Sequence, residues 1–200
     1  APQPSRFDYL PGQFLLLTVT IAGRQISRAY SLSSAPTRPH SLAITVKRVA
    51  GGEVSNYLLD TLQPGMMVSA QPPQGHFHLP QTLPAQLLLL SAGSGITPVM
   101  SMLRTLDRRG QIGDIVHVHS APTQADVLFA AELAELGRDH DGYRLTVRAT
   151  RTEGRLDLSR PGDKTQDAVP TLLEHGWRAT TLPVGGDLPA AWDQLTGGIR

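Results

Sequence analysis

Four consecutive leucines at 87–90 lead, three residues later, into Gly93-Ser94-Gly95-Ile96-Thr97-Pro98 and then an apolar-periodic stretch over 99–106. An apolar run this short, bounded by turn residues, is a strand buried on both faces, as in a parallel sheet. The glycines allow a tight turn and close backbone approach to an anion. Thr97 is placed to cap a helix, and Pro98 suits a first helical position, where no N–H is needed. The segment is therefore predicted to be a strand-to-helix turn able to receive a diphosphate. A strand over 115–119, a helix over 125–136 and a strand over 143–149 continue a β-α-β-α-β alternation, which calls for a parallel sheet with helices on its faces. Beyond residue 151 the pattern weakens: 156–166 is polar and loop-like, 169–175 suits one or two helical turns, and 179–182 a last strand.

The amino-terminal half has a different grammar. β-rich runs at 14–21, 28–33 and 42–49 are separated by Ala22-Gly23 and a proline-bounded turn at 36–39, the punctuation of an antiparallel barrel. Over 54–62, Val54, Leu58, Leu59 and Leu62 share one helical face, so a short helix is expected to cap that barrel. The character changes around 81–86. The expected fold class is thus two-domain, an antiparallel β-barrel over 1–82 followed by a parallel-sheet α/β nucleotide-binding domain over 83–200, whose part from about 156 is atypical. There is no internal repeat or low-complexity tract.

Composition removes several functions. With 18 Lys+Arg against 17 Asp+Glu, the chain lacks the basic field that concentrates proteins on nucleic acid or anionic membranes. Its longest apolar runs are too short to span a bilayer, and no signal segment opens it, so a soluble cytoplasmic protein is expected. The absence of cysteine excludes disulfides, thiol catalysis and any iron–sulfur cluster held within these residues.

Two constellations carry chemistry. In Arg28-Ala29-Tyr30-Ser31, a strand offers a diphosphate partner, a ring to stack on a planar heterocycle and a hydrogen-bonding hydroxyl. Downstream lie Thr45-Val46-Lys47-Arg48 and Gly51-Gly52-Glu53-Val54-Ser55, where a glycine pair before a helix presents N–H groups and a positive dipole end. The plainer alternative makes Tyr30 barrel core, Arg28 a surface charge and Gly51-Gly52 a hairpin turn. The second constellation is Gly93, Ser94, Gly95 and Thr97. Its pattern departs from the Rossmann fingerprint, because Pro98 replaces the last glycine and the next strand ends in His119-Ser120 with no acidic residue. The histidine pairs 76/78 and 117/119 each share a strand face and so suggest a metal. Without cysteine or clustered carboxylates they read instead as surface or barrel-edge histidines. Met66, Met67, Met100 and Met102 read as core filling.

The ordered R-x-Y-S, G-x-x-S-x-x-L and G-x-G-x-x-P elements, spread over 14–136, resemble those of the ferredoxin–NADP reductase superfamily. The likeness is to bacterial flavin reductases that feed iron–sulfur partners of oxygenases, desaturases and hybrid-cluster proteins. The resemblance implies FAD bound along Arg28, Ala29, Tyr30 and Ser31. Arg28 would hold the diphosphate, Tyr30 pack on the isoalloxazine and Ser31 sit near its redox-active nitrogen. Thr45, Val46 and Lys47 would line the flavin, while Gly52, Glu53, Val54 and Ser55 would serve its phosphates. Gly93, Ser94, Gly95 and Thr97 would hold NAD(P)H, with Ser94 touching both rings, so that Tyr30, Ser31 and Ser94 flank the reacting atoms. Thr150 and Arg151, assisted by Arg155, would recognise the 2′-phosphate of NADPH over NADH, although Pro122 stands where many relatives carry Arg.

The implied activity is hydride transfer from NAD(P)H to FAD in a cleft between the domains, then single electrons to an iron–sulfur protein or domain elsewhere. Alternatives are a reductase donating to haem or free acceptors, and a flavin-binding module with impaired nicotinamide use. Two departures stand out: Val184 in place of the family's cysteine, and a start at Ala1 with no initiator Met although the family's opening strand should precede Phe7, as in a trimmed or incomplete chain.

Overall fold

Alternation builds the first hairpin. In β1 (Phe14–Ile21) the buried Leu15, Leu17 and Val19 alternate with the less buried Leu16, Thr18 and Thr20, as a period-2 strand with one inward face requires. It pairs antiparallel with β2 (Arg24–Ser31), matching Leu15 to Tyr30, Leu17 to Arg28 and Val19 to Ile26. The connection is the two-residue turn Ala22-Gly23, with φ of +48° and +77°. Positive φ at both positions is the type I′ geometry favoured between twisted strands. Gly23 takes it freely and Ala22 does not. Ala22→Asn is expected to raise the unfolding free energy by about 0.5–1 kcal/mol, since Asn tolerates the left-handed region. Denaturant titration of the two proteins checks this, and an unchanged or lower midpoint would contradict the turn geometry.

The computed structural model describes residues 8–37, 41–154 and 178–181. The chain divides into two compact units, Ala1–Gln81 with Thr97–Gln111, and Thr82–Ile96 with Ile112–Arg200.

In the first unit, β3 (Ser69–Ala70) joins the free edge of β1, giving the order β2-β1-β3. The strand expected over 42–49 does not form. That segment makes only an isolated bridge, Ile44 to Leu32. Its ladder is interrupted where the Ala43 N–H donates to the Ser34 hydroxyl at 3.0 Å rather than to a backbone carbonyl. Among the described residues the sheet therefore stays open instead of closing into the expected barrel. Helix α1 (Glu53–Thr61) places Val54 and Leu58 on Leu17 and Val19. Its apolar stripe is narrower than expected, for Leu59 and Leu62 remain 45% and 39% exposed; Leu59 lies about 100° around the helix from Leu58.

In the second unit β4 (Gln86–Ala92), β5 (Asp114–Ala121), β6 (Tyr143–Ala149) and β7 (Arg178–Thr181) form a parallel sheet in the order β6-β5-β4-β7. Leu87, Leu88 and Leu89 are buried, as the unbroken leucine run requires. After β4 comes a 3-10 turn, Gly93–Gly95, and then α2 (Ile96–Arg108), which from Thr97 onward belongs to the first unit. Because α2 starts at Ile96, Thr97 is not its cap but a buried first-turn residue. Pro98 is still accommodated, since first-turn N–H groups have no intrahelical acceptor. The helix expected over 125–136 is split into a 3-10 turn, Gln124–Asp126, and α3 (Ala130–Asp139), by Phe129 at φ +60°. A single turn, α4 (Thr150–Glu153), follows β6. No helix of the described residues is long and apolar enough to cross a membrane. Arg155, the segments 156–166 and 169–175, Val184 and the region before Phe7 lie outside the described residues.

Candidate cofactor sites

Strand periodicity and register put Arg24, Ile26, Arg28 and Tyr30 on one face of β2 and Gln25, Ser27, Ala29 and Ser31 on the other. Arg28 is exposed, and its Nη1 donates to the Ser27 carbonyl at 2.9 Å. Tyr30 is half-buried against the Leu17–Val19–Val54–Leu58 cluster. Burial raises its phenol pKa, while the Arg28 guanidinium pulls it down. The ring is therefore partly core, as in the plainer sequence alternative, and also lies within the field of Arg28.

Sequence reading passed over Arg24. Its Nη2 meets Glu53 Oε1 at 2.6 Å, tying β2 to the first residue of α1. The signal was available, because an arginine four residues before Arg28 must share its strand face. The N-terminus of α1 has no side chain closing it. Its N-cap is Gly52, with no side-chain capping bond, and the first helical bond is Asn56 N–H to Gly52 O at 3.2 Å. The amides of Glu53, Val54 and Ser55 thus precede any intrahelical acceptor. A Cβ on Gly52 would stand 2.6 Å from Ser55 Oγ and 2.9 Å from Val49 Cβ, so the cradle needs glycine there. The Ser55 hydroxyl is engaged within the turn, accepting from Val49 N at 3.3 Å and donating to Gly52 O at 3.4 Å. What Ser55 offers outward is its N–H. These features fit a diphosphate.

Thr45 donates to Ser33 Oγ at 3.1 Å, Val46 packs on the same apolar cluster as Tyr30, and Lys47 is exposed.

The second unit offers a separate site. Its strand order carries the chain from β4 to β5 to β6 in one direction, whereas β7 lies on the other side of β4. That reversal makes the carboxyl end of β4 a topological switch point, where open α/β sheets bind ligands. Gly93, Ser94 and Gly95 stand at that end, with Gly93 at φ +50° and Ser94 exposed. Thr150 and Arg151 follow the carboxyl end of β6, two strand spacings or roughly 10 Å away. Arg151 is exposed, and its N–H donates to the Pro122 carbonyl at 3.0 Å.

Beneath this end runs a polar chain that sequence reading misplaced. His117 and His119 are not surface or barrel-edge residues; both are fully buried. Ser91 Oγ lies 2.8 Å from His117 Nε2 and 2.8 Å from His119 Nδ1, and His117 Nδ1 lies 2.8 Å from the Tyr143 hydroxyl. His119 Nε2 is buried with no protein partner. Burial pushes His117 down to about 3, with the neighbouring His119 adding to it, and pushes His119 down to about 4; Tyr143 is raised by burial. Both imidazoles are neutral at pH 7. The link was hidden in the sequence because it depends on the β4–β5 register, which pairs Ser91 with His119. His76, in contrast, is exposed.

Comparisons with known proteins bear on both units. The oxidoreductase FAD-binding domain family matches residues 2–79, and the oxidoreductase NAD-binding domain family matches residues 89–170. The chain is 53% identical over 164 residues to an NADPH oxidoreductase of Mycobacterium tuberculosis, covering 80% of this chain and 43% of that protein. It is 40% identical over 147 residues to the glycine betaine monooxygenase reductase subunit of Pseudomonas aeruginosa, covering 74% and 40%. The chain thus spans less than half the length of these relatives. Its fold is similar to that of ferredoxin–NADP+ reductase from Plasmodium falciparum with 2'P-AMP, at a TM-score of 0.73 and 15% identity, covering 96% of this chain and 81% of that one.

Proposed function

Because this chain belongs to the ferredoxin–NADP reductase superfamily, we propose that it is the flavin- and nicotinamide-binding part of an NAD(P)H-dependent electron-transfer oxidoreductase. The observation that carries the reading is the uncapped, glycine-entered N-terminus of α1, tied through Glu53 and Arg24 to the strand that presents Arg28 and Tyr30.

Arg28 and the amides of Glu53, Val54 and Ser55 neutralise the FAD diphosphate. Tyr30 supplies a flat partner for the ring, Ser31 a hydroxyl at its edge, and residues 45–47 a wall beside it. Gly93, Ser94, Gly95 and Thr97 receive the nicotinamide nucleotide. Thr150 and Arg151 give the 2′-phosphate of NADPH a hydroxyl and a guanidinium, which favours NADPH over NADH, in keeping with the Mycobacterium tuberculosis relative's name. A flavin held by these residues would supply hydride acceptance from NAD(P)H and single-electron donation, while the residues themselves orient it and exclude water.

With no cysteine among the 200 residues, an iron–sulfur acceptor lies in another segment or another protein. An iron–sulfur acceptor is the reading favoured by the monooxygenase reductase relative. The test is anaerobic addition of NADPH, then NADH, to the FAD-loaded protein. Bleaching of the yellow absorbance, faster with NADPH, is expected. A flavin that binds but stays oxidised with both nucleotides would instead make this a flavin-binding module.

A further inference from the structure

Helix α2 donates three side-chain hydrogen bonds to the loop that leaves β2. Ser101 Oγ donates to the Ser34 carbonyl at 2.6 Å, Arg104 Nη1 to the Ser33 carbonyl at 2.6 Å, and Arg108 Nη1 to Thr37 Oγ1 at 3.0 Å. Their spacing, i, i+3 and i+7, is one helix face, and residues 97–111 belong to the same unit as β2. Ser101 is fully buried and Ser33 nearly so, so water cannot replace these donors without exposing the carbonyls. Contact is close elsewhere along the helix too. A Cβ on Gly12 would stand 2.6 Å from Met102 Cε.

The gripped loop starts two residues after Ser31, and its other bonds lead to Tyr9, to Ala43 and to Thr45 of the proposed flavin wall. Ser33 N–H donates to Ala43 O at 2.8 Å, and Thr45 donates to Ser33 Oγ at 3.1 Å. Ser34 Oγ accepts from Ala43 N at 3.0 Å and lies 2.7 Å from the Tyr9 hydroxyl. Because residues 42–49 make only one bridge to this region, no sheet ladder fixes the spacing of Ser31 and Thr45. The Ser33–Ser34 knot does so instead, and α2 holds the knot from behind.

We propose that Ser101 and Arg104 are positioning residues for the flavin, setting the placement of Ser31 and Thr45 against its ring through the carbonyls of Ser34 and Ser33. The inference rests on the FAD reading above. It makes part of what sequence pattern assigns to the nucleotide domain a working part of the flavin site.

The experiment compares the FAD-loaded wild type with Arg104→Met, Arg104→Lys, Ser101→Ala and, as a control on the same face, Arg108→Ala. The readouts are thermal stability, visible circular dichroism of the bound flavin, and its rate of anaerobic reduction at saturating FAD and NADPH. Arg104→Met and Ser101→Ala are expected to alter the flavin dichroism and slow reduction about 10-fold, the effect of losing one such hydrogen bond. Arg104→Lys, keeping a charged donor, is expected to recover most of that loss, and Arg108→Ala to match the wild type. Should Arg104→Met not fold, Ser101→Ala and Arg104→Lys carry the comparison. Variants that lose stability yet keep wild-type dichroism and reduction rate would overturn the positioning role. A wild type that takes up no FAD would instead overturn the flavin reading itself.

Discussion

Arg28→Ala is expected to weaken FAD binding about 10- to 150-fold, since a hydrogen bond to a charged group is worth about 1.5–3 kcal/mol and each 1.4 kcal/mol is tenfold in Kd. Global stability is expected to change by less than about 0.5 kcal/mol, because the side chain is exposed and bonds only locally, to the Ser27 carbonyl. Arg28→Lys keeps the charge but loses the planar fork, and so falls between the two. Fluorescence titration with FAD, paired with denaturant melts of the apo-protein, separates binding from folding. Equal losses in both would make Arg28 a structural residue and remove the main grip on the diphosphate.

Acid should act on the other unit. His117 and His119 sit at about 3 and about 4 in the folded protein, against about 6.5 for an unfolded histidine. Their folded values are depressed, so the unfolded chain binds more protons below pH 6.5, and the stability the pair confers is lost as pH falls from about 6.5 towards 4. With two protons taken up on unfolding, the loss is about 2.7 kcal/mol per pH unit once pH is well below 6.5. Replacing His119 with Leu is expected to halve that slope and to remove the buried nitrogen that has no protein partner. Denaturant melts between pH 7 and pH 4.5 measure it. Stability flat over that range would mean that the imidazoles are solvated or charged in the native state.

Where one chain segment carried its own pattern, sequence and structure coincide. β1 and β6 fall where alternation put them, and the leucine run at 87–90 is the buried strand it promised. The failure over 42–49 is non-local and the one at Phe129 is local. Residues 42–49 have strand propensity, yet serine side chains at 33 and 34 capture the groups a ladder would need. Phe129 breaks a helix by taking a left-handed conformation, for which phenylalanine gives no local signal.

The candidate sites divide in the same way. Arg28, Tyr30 and the Gly51-Gly52 entry to α1 are contiguous motifs and could be read directly. The Ser91–His117–His119–Tyr143 chain joins three strands, and the Ser101 and Arg104 donors join a helix to a distant loop, so both depend on register and packing. For the latter, the full burial of Ser101 and Thr105 in the middle of a helix, which demands partners, shows only in the folded chain.

In the proposed site the first unit grips the diphosphate and adenylate half of FAD through Arg28 and the first amides of α1, not only the ring. Parallel equilibrium titrations with FAD and with FMN, which shares the ring but lacks the second phosphate and adenylate, test it most directly. FAD is expected to bind at least about 10-fold more tightly, to leave the protein yellow after desalting, and to lose that advantage in Arg28→Ala. FMN binding as tightly as FAD, or neither binding saturably, would contradict it.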